Sequence, residues 1–159
     1  MTAKAATQNL LPGYETTFIT RSDLSDDGLK ALNERLAAVV ANYKGTLVIH
    51  EDWGKKKLAY PIAKESRGHY TYLVYSGTGD VVAEMERNLR LNEHVMRFLT
   101  VNLAREFNAE EFMKQRAELR EAAKRREQER EARREERMAE RRAYTESRDS
   151  ESEAEGMEA

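Results

Sequence analysis

Apolar residues recur at regular intervals up to Leu103 and then thin out, so any hydrophobic core must be built from roughly the first two thirds of the 159 residues. Residues 1–103 hold 13 Lys and Arg against 12 Asp and Glu, and residues 104–159 hold 14 against 17. At 35 % charged and 40 % hydrophobic residues, the chain is too charged for one compact globule. It reads as a core domain carrying a solvated extension.

Within the first part the periodicity switches between two and 3.6. After an arm ending at Pro12-Gly13, Tyr14 to Thr20 is β-rich in composition. Ser22, Asp23, Ser25, Asp26 and Asp27 offer an N-cap and early acids. Leu29, Leu32, Leu36, Val39, Val40 and Tyr43 then recur at helical spacing, and Gly45 is the expected stop. Thr46 to His50 opens a second strand, Trp53-Gly54 marks a bulge or bend, and Leu58 to Ile62 continues extended. Pro61 confines that stretch to a sheet edge or strand end. Residues 64–68 read as a turn and His69 to Tyr75 as a third strand. A second helix carries Val81, Val82, Met85 and Leu89 and ends at Asn92, before a fourth strand over Val95 to Val101. The order β-α-β-β-α-β predicts an α+β, ferredoxin-like sandwich with both helices on one face of an antiparallel sheet.

From residue 118 to 142 the chain is almost all Arg, Glu and Ala. Glu121 with Arg125 and Glu129 with Arg133 stand at i,i+4; Glu127 with Arg130 and Glu131 with Arg134 stand at i,i+3. No apolar seam repeats, which predicts a solvated single helix rather than a coiled coil. The boundaries are therefore a flexible N-terminal arm over 1–12, a folded domain over 13–104, a charged helical extension over 105–144 and a disordered acidic tail over 145–159.

The chain has no Cys, which excludes disulfides, zinc ribbons and thiol chemistry. No secretory apolar stretch opens it and no run approaches the length of a membrane span, so a cytoplasmic protein is expected. Enzyme chemistry has little to stand on. His50, His69 and His94 fall on different elements, and no nucleophile elbow, phosphate loop or zinc spacing occurs. His50 and Asp52 share a strand face, a weak metal signal that a solvated edge strand explains better. Arg21 follows the first strand, where an acylphosphatase-like anion loop would need it, but Ser22-Asp23 is an unhelpful setting for an anion. No cofactor, metal or small-molecule substrate is expected.

The segment with functional content is Trp53-Gly54-Lys55-Lys56-Lys57-Leu58-Ala59-Tyr60-Pro61-Ile62. Lysines neutralise phosphates, and aromatic rings beside them stack bases or pack the sheet. A lysine triplet alone is commonly a solvated loop or an anti-aggregation device on an edge strand. Preceded by Glu51-Asp52, this segment closely resembles the signature of the family of the bacterial small-subunit ribosomal protein numbered six. Tyr14-Glu15, Arg67-Gly68-His69-Tyr70, the stretch Glu86 to Asn92 and Val95-Met96-Arg97 agree in order with the same family. The resemblance spans about residues 13–103. It implies a ferredoxin-like structural protein of the small ribosomal subunit. Such a protein binds the central domain of small-subunit rRNA with the ribosomal protein numbered eighteen, supporting assembly and translation.

On this basis Lys55, Lys56 and Lys57 are the main rRNA candidates, and Arg87, Arg90 and Arg97 follow. Glu84 and Glu86 make a solvated helix face about as good an account of Arg87 and Arg90. Trp53, Leu58, Tyr60 and Ile62 are expected to bind the partner or pack the sheet. The competing reading is an RNA-recognition-motif-like binder of single-stranded RNA outside the ribosome, for which Tyr70 stands where a small residue is wanted. A third is a protein-interaction module with a helical spacer.

Overall fold

The computed structural model describes residues 10–157, with side chains through residue 139. The first nine residues of the expected arm lie outside the described residues. The chain forms two units, Met1–Glu110 and Glu111–Ala159.

The first unit runs β1 (Gly13–Arg21), α1 (Asp26–Asn42), β2 (Thr46–Ile62), β3 (Glu65–Ser76), α2 (Gly79–Leu91) and β4 (Val95–Ala104). The strands form one sheet in the order β2-β3-β1-β4, and every neighbouring pair is antiparallel. This is the ferredoxin-like arrangement that the alternation of periods predicts. Alternate residues of each strand face the helices. Phe18, Leu73 and Tyr75 of the sheet pack with Leu32, Leu36 and Val40 of α1 and with Val81, Met85 and Leu89 of α2. Burying each of these large side chains contributes roughly 1.5–3 kcal/mol, which is what holds two short helices on the sheet. Thr16 is fully buried in the same layer, where its hydroxyl bonds the Tyr75 hydroxyl and Thr100 Oγ1, each at 3.1 Å.

Helix α1 is capped as its sequence suggests at one end and differently at the other. Ser25 Oγ accepts from the Gly28 amide at 3.2 Å, with Asp26 and Asp27 in the first turn. At the far end the left-handed residue is Lys44 (φ 57°), not Gly45. The Lys44 amide donates to Ala41 O at 3.0 Å and the Gly45 amide to Val40 O at 2.8 Å, a Schellman closure. Gly45 is required for space instead: a Cβ there would stand 2.7 Å from the Ser76 carbonyl oxygen.

The largest difference from the sequence reading lies in the β2–β3 hairpin. The turn expected at 64–68 is only Ala63-Lys64, both left-handed (φ 49° and 68°), between the paired residues Ile62 and Glu65. That is a type I′ hairpin turn. It lacks the Asn-Gly signature that would have revealed it, so Glu65 to Gly68 belong to β3. Strand β2 is continuous over 17 residues, with a register shift between Asp52 and Gly54 where Gly54 takes φ 73°. Since β1 ends at Arg21 opposite Gly68, the hairpin beyond that point is a two-stranded ribbon.

The second unit consists of α3 (Ala109–Met157) from Glu111 onward. Its backbone stays helical past residue 144, into the stretch expected to be disordered. Residues 109–143 are mostly good helix formers, and no Gly or Pro interrupts α3 before Gly156. The i,i+4 and i,i+3 Glu–Arg spacings are present, but among the described residues they are not closed into ion pairs within 4.0 Å.

Candidate nucleic-acid interface

Because β2 is an edge strand, the lysine triplet lies on the rim of the sheet, and all three side chains are exposed. Pairing places Lys55 opposite His69, Lys56 opposite Gly68 and Lys57 opposite Arg67. Lys55 and Lys57 therefore share the side of the helix-facing rows, and Lys56 takes the other. Lys56 Nζ sits 5.4 Å from the centre of the Trp53 ring, and Trp53 stacks on Tyr72 at 5.0 Å with 12° between planes. Trp53 Nε1 donates to Glu51 Oε2 at 3.1 Å. The indole is thus fixed on three sides while 39 % of its surface stays exposed.

The bulge that starts the triplet is built by Asp52. Its Oδ1 accepts from the Gly54 amide at 2.7 Å and also meets the His69 ring. Partial burial pushes its pKa up, but the Gly54 amide and His69 outweigh that and hold the carboxyl below its ordinary value. This turn aims the next residues outward. His50, on the same row, joins no metal site: no group of three His, Asp or Glu side chains converges among the described residues. Arg21 is likewise unavailable to an anion, since its guanidinium holds Asp23 at 2.9 Å and Glu65 at 3.1 Å.

Two residues that sequence reasoning left out join the triplet. Arg67 stands directly across from Lys57, and Lys64 occupies the turn; both are exposed. Only pairing register reveals the first, and only the turn type reveals the second. Like charges directly opposite on a ladder repel, so Lys57 and Arg67 concentrate positive charge on this hairpin at a cost to the free protein.

The second-rank arginines do not gather into one patch. Arg97, on the face away from α1 and α2, donates to the Tyr60 hydroxyl at 2.5 Å, which ties β4 to the hairpin. Arg87 is held by Glu84 at 2.6 Å, and Arg90 lies 6.0 Å from the Phe98 ring with Glu86 at 4.0 Å. Arg87 and Arg90 belong to the helical layer, apart from the triplet. The Arg87 guanidinium holds the Glu84 carboxyl down at about 2. Of the residues expected to pack or bind a partner, Leu58 is buried and Ile62 half-buried, whereas Tyr60 is 59 % exposed.

A model of the ribosomal protein S6 family matches residues 13–102. The chain belongs to the ribosomal protein S6 family. The match covers β1 to β3, α1, α2 and β4 up to residue 102, and stops before α3. Small ribosomal subunit protein bS6 of Pelobacter propionicus is 49 % identical over 90 residues, covering 57 % of this chain and 70 % of the relative. Its counterpart in Geobacter metallireducens is 46 % identical over 93 residues, covering 58 % and 79 %. The crystal structure of 30S ribosomal protein S6 from Thermotoga maritima superposes with a TM-score of 0.56 at 24 % identity, covering 69 % of this chain and 98 % of that one. That likeness establishes the shared fold. The S6 family is one of structural ribosomal proteins, not of enzymes. Among the described residues no helix is long and apolar enough to cross a membrane.

Proposed function

We propose that this chain is a structural constituent of the small ribosomal subunit in the cytoplasm. It binds the central domain of small-subunit rRNA together with the small-subunit ribosomal protein numbered eighteen, and so supports assembly and translation. The observation that carries the RNA reading is Lys57 standing opposite Arg67, beside Lys55, Lys56 and Lys64, on the hairpin that bears the family signature. Mutual repulsion there is relieved when phosphates lie against the ribbon. Lysines are point charges suited to phosphate, so the hairpin positions the protein and leaves base identity to other contacts. Arg97, tied to the hairpin through Tyr60, contributes from the opposite face of the sheet, and Arg87 and Arg90 contribute from the helical layer.

The partner supplies what this domain lacks. With 13 basic against 12 acidic residues through residue 103, the domain is nearly neutral, and phosphate contacts dominate RNA affinity. The exposed apolar residues Leu99 (65 %) and Val101 on edge strand β4, with Trp53 and Tyr60, offer the partner its apolar contact. Filter binding to a central-domain rRNA fragment at fixed salt tests this reading. Weak binding alone and much tighter binding with the partner is expected, together with co-sedimentation of the chain with small subunits on a sucrose gradient. Equal affinity with and without the partner contradicts the cooperative part; absence from the subunit peak contradicts the whole.

A further inference from the structure

The family match ends at residue 102 and leaves α3 without an assigned role. Between Arg126 and Arg137 its Arg and Glu residues, interleaved in sequence, separate in space. At about 100° per residue, Arg126, Arg130, Arg133, Arg134 and Arg137 fall within an arc of about 100°. Glu121, Glu129, Glu131, Glu135 and Glu136 all fall outside that arc, and Glu127 sits at its margin. The five arginines are exposed over about 17 Å of helix. Arg130, Arg133, Arg134 and Arg137 line one shallow cleft with no carboxylate on its rim. The next cleft, lined by Glu127, Arg130, Glu131 and Arg134, is mixed, so the purely basic surface runs from 130 to 137. Among the described residues, none of the five arginines is within 4.0 Å of a carboxylate.

We infer that this arginine stripe of α3 is a second RNA-binding surface, one that grips the phosphate backbone of duplex rRNA without reading its sequence. The stretch has no apolar seam: Leu119 and Met138 are single exposed residues, 71 % and 49 % accessible, with only charged residues, alanines and Gln128 around the stripe. A protein partner would want apolar anchors at its centre, whereas a polyanion needs only the charge. Guanidinium groups recur about every 5–6 Å along a rigid rod, each able to fork onto a phosphate. The Glu residues on the other side keep the helix soluble and repel RNA there, so the rod binds by one edge. The choice of rRNA as the source of phosphate rests on the ribosomal reading above.

The test uses the full chain and a short RNA duplex of arbitrary sequence, with affinity measured across a range of salt concentrations. The double substitution Arg133→Gln, Arg137→Gln removes two charges from the stripe. Its control, the double substitution Lys124→Gln, Arg125→Gln, removes two charges from the opposite side of the same helix. Gln has a helix propensity close to those of Arg and Lys, and far-UV circular dichroism checks that the helix persists. The expected result is a log-affinity versus log-salt slope smaller by about 1.4–1.8 for the stripe variant and unchanged for the control. Restoring charge with Arg133→Lys, Arg137→Lys should restore most of the slope. Equal slopes for the two Gln variants overturn the proposal, and tighter binding to polyglutamate than to the duplex overturns it in favour of an acidic protein partner. Sucrose-gradient sedimentation of the wild-type chain reports separately on the ribosomal reading, because the stripe can hold duplex RNA whether or not the chain enters small subunits.

Discussion

Arg97 Nη1 donates to the Tyr60 hydroxyl at 2.5 Å and so joins β4 and β2, the two edges of a four-stranded sheet. Those edges are three strand spacings apart, about 14 Å. The outer half of the β2–β3 hairpin has no third strand, and two-stranded ribbons twist strongly, which carries Tyr60 toward β4. Tyr60→Phe removes the acceptor and keeps the ring. The expected outcome is a stability within about 0.5 kcal/mol of wild type, with faster amide exchange in the outer hairpin and weaker binding to rRNA. Unchanged exchange would show that the hairpin holds its course without this bond.

Lys55 and Lys57 lie on one side of the hairpin and are exposed. Lys55→Ala, Lys57→Ala should weaken rRNA binding by the assembled protein pair and reduce the salt slope by roughly 1.4–1.8, while the fold survives. Affinity at several salt concentrations, with a melt alongside, checks both parts. A full slope with a normal melt would shift the RNA contact to Arg87, Arg90 and Arg97.

The Lys57–Arg67 pair gives a prediction with opposite signs for stability and binding. Arg67→Glu turns a repulsive cross-strand pair into an attractive one, a gain of about 0.2–1 kcal/mol for the free protein. The same change should weaken rRNA binding several-fold. Calorimetry and filter binding read the two effects. A loss of both would mean that Arg67 packs the hairpin rather than serving RNA.

Trp53 is clamped between Tyr72 and Lys56. Trp53→Ala forfeits an aromatic pair worth about 0.5–1.5 kcal/mol and a cation–π contact of about 0.5–1 kcal/mol. For a domain of this size each kcal/mol lowers the melting midpoint by roughly 4–8 °C. Trp53→Phe should recover most of the loss, and thermal melts of the three proteins decide it.

Glu84 links Arg87 to the buried Asn88, whose amide donates to Glu84 Oε1 at 2.7 Å. The Arg87 hydrogen bond, acting against burial, lowers the Glu84 carboxyl from the ordinary 4.5 to about 2. A depressed carboxyl stabilises the folded state above its unfolded value and loses that contribution as pH falls through the folded one. Glu84→Gln should therefore be less stable than wild type at neutral pH, with the gap closing between pH 4.5 and about 2. Denaturant melts across that window measure it; a constant gap would assign the effect to packing.

Periodicity, β-rich composition and punctuating Gly and Pro residues marked out both helices, the four strands and the end of the core near Leu103, because each element buries one face and its sequence records which. The signature around Trp53 and Tyr60 marked out the family, since it combines a bulge glycine, basic residues and an edge proline in a fixed order. What the sequence left undecided depends on pairing between distant residues. That Lys57 meets Arg67 follows from a register shift between Lys57 and Ile62, where residues 58–61 of β2 lie against residue 66 of β3, beyond a two-residue turn at Ala63-Lys64 whose left-handed backbone no residue type there announces. Lys44 takes the left-handed place that Gly45 was expected to fill, and Gly45 serves instead to leave room for the Ser76 carbonyl, which stands where a Cβ would be. The triplet is separated from Arg87 and Arg90 because those arginines ride on α2, in a different layer from the hairpin. Along α3 the sequence shows alternating charge, and only the helical turn of 3.6 residues sorts the arginines onto one side. Local chemistry wrote the elements into the chain; long-range register and helical phase decided which charges face the same way.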